Sequence, residues 1–352
     1  MAKSKSKSAK SAVFTAASAQ LLSDLKGAKD KMSAAFLQAA PATAFSAKSM
    51  ATTTAPETNV VGVGIGEKIS DGKNTGVMAV KFLVRVKYSP SEVDKKHQLP
   101  RTVNGLPTDV EQVGTFRKLG APAPVLPPMP NPKLRFRPAQ PGCSVGFRDP
   151  GNAFIMAGTF GALVKSSQGL FVLSNNHVLA DENQLPLGSP IFQPGLLDGG
   201  KPLTDRIATL TKFIKLKSTG MNKVDAAIAK ALKASLVSNE ILFIGKPKGV
   251  TPALMDMVVH KFGRTTSYRV GRVTSVNTDV SVQYDTGLYK FSGQIIIKGL
   301  NNQPFSAGGD SGSLILERAT NKAVGLLFAG STSHTIANHI KDVLTAFGVT
   351  LA

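Results

Sequence analysis

Three side chains, far apart in the sequence, could together carry out acyl transfer. The first is Ser311, in the stretch FSAGGDSGSLIL from Phe305 to Leu316. Gly308, Gly309 and Gly312 flank it, and glycine tolerates the positive φ angles of a tight turn. A serine on such a turn presents its hydroxyl while neighbouring N–H groups converge on one point, the geometry that holds an oxyanion. A Gly-Gly-Asp-Ser-Gly run is also compatible with a plain loop, so the serine needs partners. Its hydroxyl is a poor nucleophile until a base takes the proton, and the base needs an acid to fix its tautomer.

FVLSNNHVLA supplies the base, with His177 placed after an apolar strand and a polar Ser-Asn-Asn shoulder. NKVDAAIAKA supplies the acid, Asp225, which opens a strand of small apolar residues. Burial there is costly for a carboxylate unless a group such as His177 hydrogen bonds to it. Asp205, in LTDRIATL, is the rival acid but lacks the small apolar run. His334 and His339, five apart, are too few for a metal site and read as helix-surface residues; His260 reads as structural, and no metal site is expected.

These blocks, in the order His, Asp, Ser, resemble those of the chymotrypsin-like (trypsin-like) serine peptidases over roughly residues 140–335. The resemblance implies two six-stranded β-barrels with the site between them. His177 and Asp225 come from the first barrel and Ser311 from the second. It makes Ser311 the nucleophile, His177 the general base and then acid, and Asp225 the residue that orients it. The N–H groups of Gly309 and Ser311 form the oxyanion hole.

HKFGRTTSYRVGRV (His260–Val273) is similar to the GRTTG-type stretch of the bacterial alpha-lytic protease and streptogrisin enzymes. That likeness pairs Lys261, or alternatively Arg264, with Asp310. Ser313 stands where the family motif has Gly. AVGLLFAGS resembles the strand that pairs with substrate, so Phe328, Ala329 and Gly330 are expected to line the primary pocket. Phe305 takes the position that selects basic side chains in the family, so an apolar or small preference is expected. No cofactor is implied.

The elements that must position these residues follow from the apolar pattern. After about residue 143 the chain reads as all-β, with GTFGALV, LFVLS, DRIATL, VDAAIA, MVVHKF, GRVTSV, QIIIK, SLIL and AVGLLFA separated by turn residues. The expected peptidase domain is 143–352, with barrels at about 143–240 and 241–334 and a C-terminal helix at 335–347. Residues 120–142, rich in proline, read as an extended linker. Residues 58–119 read as a small α/β accessory domain, with strands in VVGVGIGEK and MAVKFLVRVKY and a capping box from Ser89 to Glu92. The glycines at 62, 64 and 66 do not match a phosphate loop and read as a strand with one bare face. Residues 1–57 form a basic Ala/Ser/Lys-rich tail: its Lys-Ser repeats read as disordered, and Val13–Ala39 as a helix through Leu21, Leu22, Leu25, Met32 and Phe36.

The formal net charge is +20, but it is spread as +5 over residues 1–57, +4 over 58–130 and +11 over 131–352. A spread excess favours loose attraction to polyanions over a dedicated groove, and four Tyr with no Trp leave few stacking platforms. Nucleic acid is therefore not expected as the main ligand. No apolar run is long enough to span a membrane, and the N-terminus lacks a signal-peptide core. With one cysteine, Cys143, and no intrachain disulfide, a cytoplasmic setting is expected. The reading is a serine endopeptidase acting on protein or peptide, with homo-oligomer or partner contacts through residues 1–119. The alternative is the same fold used as a catalytically weak or silent binding or assembly module.

Overall fold

A computed structural model describes residues 17–37, 59–70, 72–93, 95–116, 129–148 and 156–352. Ser18 accepts a hydrogen bond from the Leu21 amide and starts helix α1 (Ala19–Phe36). The expected disordered repeats, the outer ends of the Val13–Ala39 helix and the first half of the proline-rich linker lie outside the described residues. Strands β1 (Val60–Ser70), β2 (Lys73–Val84), β3 (Thr102–Val103) and β4 (Leu106–Gln112) follow. Between β2 and β3, Pro90–Glu92 is a 3-10 turn, where the Glu92 carboxylate accepts from the Ser89 amide at 2.8 Å.

The next group is β5 (Ser144–Val145), β6 (Gly158–Thr159), β7 (Ala162–Ser166), β8 (Gly169–Ser174), the one-turn helix α2 (Asn176–Leu179), β9 (Pro190–Phe192), β10 (Arg206–Phe213), β11 (Met221–Asn222) and β12 (Ala227–Ala231). The last group is β13 (Val258–Gly263), β14 (Ser267–Tyr284), β15 (Gly287–Gly299), β16 (Leu314–Glu317), β17 (Ala323–Gly330), β18 (His334–His339), helix α3 (Ile340–Phe347) and β19 (Thr350–Leu351). The chain is mostly β-sheet with few helices.

One antiparallel sheet has the order β19-β7-β8-β12-β10-β9. The second closes on itself, because β14 pairs with both β13 and β15 and the ring continues through β18, β17 and β16 back to β13. Closure removes the exposed edges that an open sheet must protect. Apolar faces of both sheets meet in a shared core that includes Phe147, Phe160, Phe171, Phe262, Leu314 and Leu326.

The described part of the 58–119 unit shares its sheet with this ring. β14 is 18 residues long and outruns β13, and the edge left bare pairs with β1 through Gly62↔Val280 and Ile65↔Val276. The glycines of β1 serve that close approach: a Cβ at Gly64 would lie 2.6 Å from Ser275 Oγ and 2.7 Å from Thr278 Oγ1. Helix α1 then covers β1 and β2 with Leu25, Ala28 and Met32. The described part of the proline-rich stretch is docked as well, with Ala139 fully buried and bonded to Leu236 and Ser238.

One expected element is corrected. Residues 335–339 are not helical; they lie in β18, and only Ile340–Phe347 is a helix. The apolar spacing from Ile336 to Phe347 fits a helix, but β15 and β17 each offer an edge to residues 335–339, so sheet pairing prevails there. His334 and His339 are therefore strand residues, not helix-surface ones.

Candidate active site

Strand register brings His177 and Asp225 together. Ala227 of β12 lies opposite Ser174 of β8, so continuing that register sets Asp225 beside Asn176 and His177. The Asn176 amide donates to Asp225 Oδ1 at 2.7 Å, and the His177 amide is 3.4 Å from the same oxygen. His177 Nδ1 lies 2.5 Å from Asp225 Oδ2. The Asp225 backbone is pinned too: its carbonyl accepts from Asn175 Nδ2 at 2.8 Å, and its amide donates to Asn338 Oδ1 at 3.0 Å. An unpaired carboxylate as fully buried as Asp225 would cost several kcal/mol, which these donors offset. The two asparagines of the Ser-Asn-Asn shoulder thus clamp Asp225, while Ser174 Oγ donates to the Thr159 carbonyl.

Asp205, the rival, is engaged elsewhere. Arg135 Nε and Arg137 Nη2 approach its Oδ1 at 2.7 and 3.1 Å. Burial raises the Asp205 carboxyl, but the Arg135 hydrogen bond and the two guanidinium charges outweigh it and hold it below its ordinary range.

The serine turn is built around Asp310. Its Oδ1 accepts from the amides of Thr265 (2.9 Å) and Thr266 (3.1 Å), and its Oδ2 from Thr266 Oγ1 (2.6 Å) and the Ala307 amide (3.0 Å). Lys261 Nζ stands 2.9 Å from Oδ2, and both side chains are wholly buried. Burial pushes the Asp310 carboxyl up, but the Lys261 charge, the Thr266 hydroxyl and the Ala307 amide together hold it below the usual carboxylate range. Arg264, the other cation considered for Asp310, forks instead onto Asp198 at 2.6 and 2.7 Å. Ser313 Oγ donates to the Asp310 carbonyl at 2.6 Å, which accounts for serine at that position.

Ser311 itself is buried, and its Oγ has no hydrogen-bond partner among the described residues. Nor do the amides of Gly309 and Ser311 donate to any described group, whereas those of Asp310, Gly312 and Ser313 do. Gly309 and Gly312 hold φ of +87° and +93°. A Cβ at Gly312 would sit 2.1 Å from Ser174 Oγ, so glycine is required where the turn meets the end of β8. The turn is tied to the histidine side of the site through β6. The Thr159 amide donates to the Ser311 carbonyl at 2.9 Å, and a Cβ at Gly158 would lie 2.6 Å from Val178 Cγ2 and 3.1 Å from Ser311 O. No hydrogen bond joins His177 to Ser311 in this structure.

Phe305 and Phe328 do not line an open pocket through their side chains. Phe305 packs in a core with Ile297, Ile315 and Val324, and Phe328 packs against Phe291 with ring centroids 4.7 Å apart and the rings tilted by 46°. Ala329 and Gly330 are buried where β17 pairs with β18, beyond the part of β17 that pairs with β16.

Sequence reading missed Tyr284. Its hydroxyl donates to Asp225 Oδ2 at 2.7 Å, and its ring meets the His177 ring edge-on at 5.7 Å. Burial, followed by the charge of Asp225, pushes the phenol well above its ordinary pKa, so it stays a donor. The only trace in the sequence is the turn Tyr-Asp-Thr-Gly after an alternating strand, which marks a hairpin but not its target.

The remaining candidates have structural partners. His260 lies between Tyr268 Oη (3.2 Å) and Asn321 Oδ1 (3.0 Å), and burial lowers its pKa. His334 Nε2 contacts Glu111 Oε1 at 3.0 Å. The Cys143 thiol is buried and pushed up to about 12 by that burial, so it is not a reactive thiolate. Among the described residues no cluster of His, Cys, Asp and Glu could hold a metal ion, and no helix is long and apolar enough to cross a membrane.

The chain is similar in fold to chymotrypsin-like serine proteases of known structure. Thermobifida fusca protease A is 18% identical, with a TM-score of 0.43 and coverage of 60% of this chain and 97% of that one. Cellulomonas bogoriensis chymotrypsin is 18% identical, with a TM-score of 0.41 and coverage of 60% and 97%. An alpha-lytic protease homologue, N4, is 18% identical, with a TM-score of 0.42 and coverage of 60% and 98%. No family model matches the chain, and no curated protein sequence matches it.

Proposed function

We propose that this protein is a serine endopeptidase that cleaves peptide bonds through an acyl-enzyme on Ser311. The observation that carries this reading is the buried His177–Asp225 pair at 2.5 Å, set beside a glycine turn whose serine hydroxyl and two amides are all unpartnered. Unpartnered polar groups in a buried place are costly, and a reacting carbonyl would use all three.

In this mechanism Ser311 Oγ turns onto His177 Nε2, gives up its proton there and attacks the substrate carbonyl carbon. The negative oxygen that forms is held by the N–H groups of Gly309 and Ser311. His177 then returns the proton to the leaving amine as the C–N bond breaks, leaving an ester on Ser311. Water repeats the sequence, giving its proton to His177 and releasing the carboxylic acid and the free serine. Asp225 holds the Nδ1–H tautomer and balances the imidazolium charge throughout. Lys261 keeps Asp310, and with it the turn, in place without a newly cut N-terminus.

A second reading, a silent binding module, is favoured by one fact: His177 and Ser311 are each only 2% exposed. A fluorophosphonate probe decides between the two. Labelling confined to Ser311, and lost in His177→Ala and Ser311→Ala, is the expected result. Well-folded protein that resists labelling would overturn the peptidase reading and count heavily for the binding module.

A further inference from the structure

The carboxylate of Asp225 is shared between two sheets. Its Oδ1 faces the amides of Asn176 and His177, both in α2, which follows β8 of the first sheet. Its Oδ2 takes the His177 ring and also the Tyr284 hydroxyl, which arrives at the tip of β14 in the closed second sheet. The tip is held in place by the loop after α2. Glu182 Oε2 accepts from the Thr286 amide at 2.9 Å and from Thr286 Oγ1 at 2.6 Å, while Oε1 accepts from the Asp285 amide at 3.2 Å. Glu182 follows His177 by five residues and lies in a loop where Asp181, Glu182 and Asn183 all have positive φ, at 47°, 53° and 81°. Three successive non-glycine residues in that region are unfavourable, and contacts such as this grip on the turn can sustain them. Behind Tyr284, Tyr289 and Phe291 pack against its ring at 5.2 and 6.1 Å, so the phenol has one orientation.

We infer that Tyr284 is the positioning residue of the dyad: its hydroxyl fixes the rotamer of Asp225 and withdraws part of the carboxylate charge that would otherwise fall on the His177 ring. The inference rests on the peptidase reading for its consequence in rate, but not for the hydrogen bond itself. The titratable groups facing this phenol are His177, Asp225, Glu182, Tyr289 and, in the turn, Asp285. Tyr284 keeps its proton throughout the working range, so its donation to Asp225 does not switch with pH.

Tyr284→Phe tests this on the full chain, because it removes one oxygen and leaves the ring packing in place. The maximal rate of fluorophosphonate labelling should fall about tenfold, the factor expected from losing one hydrogen bond to a charged group, with the half-saturating probe concentration unchanged. The acid limb of the labelling-rate profile should move to higher pH, since a carboxylate relieved of a donor holds the imidazolium proton more tightly. Tyr289→Phe, whose hydroxyl bonds Thr286 and not Asp225, should change none of these. A second measurement does not depend on turnover: in proton NMR of histidine-labelled protein, the His177 Nδ1–H resonance should move downfield in Tyr284→Phe and stay put in Tyr289→Phe. If rate, profile and resonance are all unmoved in Tyr284→Phe, the inference is wrong. If wild-type protein is not labelled at all but the resonance moves, the peptidase reading fails while the role of Tyr284 stands.

Discussion

At the residue scale, Lys261 and Asp310 are the pair on which the serine turn hangs. Both are wholly buried and 2.9 Å apart, and Asp310 carries four further donors from Thr265, Thr266 and Ala307. Removing one partner of a buried pair costs about 3–5 kcal/mol, because the other charge is left without compensation. Lys261→Met should therefore lower the unfolding free energy in urea by about that much, and Lys261→Met with Asp310→Asn should recover part of it. A loss below about 1 kcal/mol in the single variant would mean that the threonine and amide donors suffice alone. The pairing of Lys261 with Asp310 was legible in the sequence because it rests on a local motif, HKFGRTTS, and on a residue adjoining the serine. Tyr284 was not, because its hydrogen bond to Asp225 joins residues 59 apart and the stretch around Tyr284 marks only a hairpin turn.

At the scale of elements, the β14–β15 hairpin does more than complete the closed ring. Its far end leaves the ring, takes β1 on one edge and plants its turn on Glu182. Glu182→Ala removes the acceptor of two turn amides and one hydroxyl. We expect amide hydrogen exchange to accelerate over residues 280–291, with about 2 kcal/mol lost in global stability, while protection of β13 and β16 is kept. Unchanged exchange at Asp285 and Thr286 would show that the strand pairing alone holds the tip. Strand positions were legible because short apolar runs bounded by turn residues mark them: the sequence stretches FVLS, AIA and GLLFA all lie within observed strands. The hairpin's reach was not legible, since the length of a strand beyond its barrel depends on which partner accepts the bare edge. The stretch from Thr335 to His339 misled for a related reason. A buried strand with edges on both sides has no outward face, so its apolar spacing carries no period-two signature.

At the scale of the whole molecule, the N-terminal unit is bound into the body by charge as well as by sheet. Buried Lys29 of α1 reaches Asp279 of β14 at 3.1 Å, and Lys81 of β2 reaches Glu111 of β4 at 2.5 Å, while Glu111 also meets His334 at the start of β18. Glu111 reports on this junction. Burial alone would raise its carboxyl, but the His334 hydrogen bond, the Lys81 charge and the His334 charge outweigh burial and bring it down to about 2 from 4.5. A carboxyl whose folded value is depressed contributes stability above its unfolded value, and that contribution is lost as pH falls through the folded one. The contribution is therefore complete above about pH 5, declines below pH 4.5 and is gone near pH 2. Its size is on the order of 3 kcal/mol. Comparing wild type with Glu111→Gln by urea unfolding at several pH values should give a gap of that order at pH 6 that closes towards pH 2. If the unit were docked through its apolar contacts and the β1–β14 pairing alone, the gap would be small and flat across the same range. A gap that closes instead makes the Lys81–Glu111–His334 junction an acid-labile seam between the N-terminal unit and β18, the strand paired with Ala329 and Gly330.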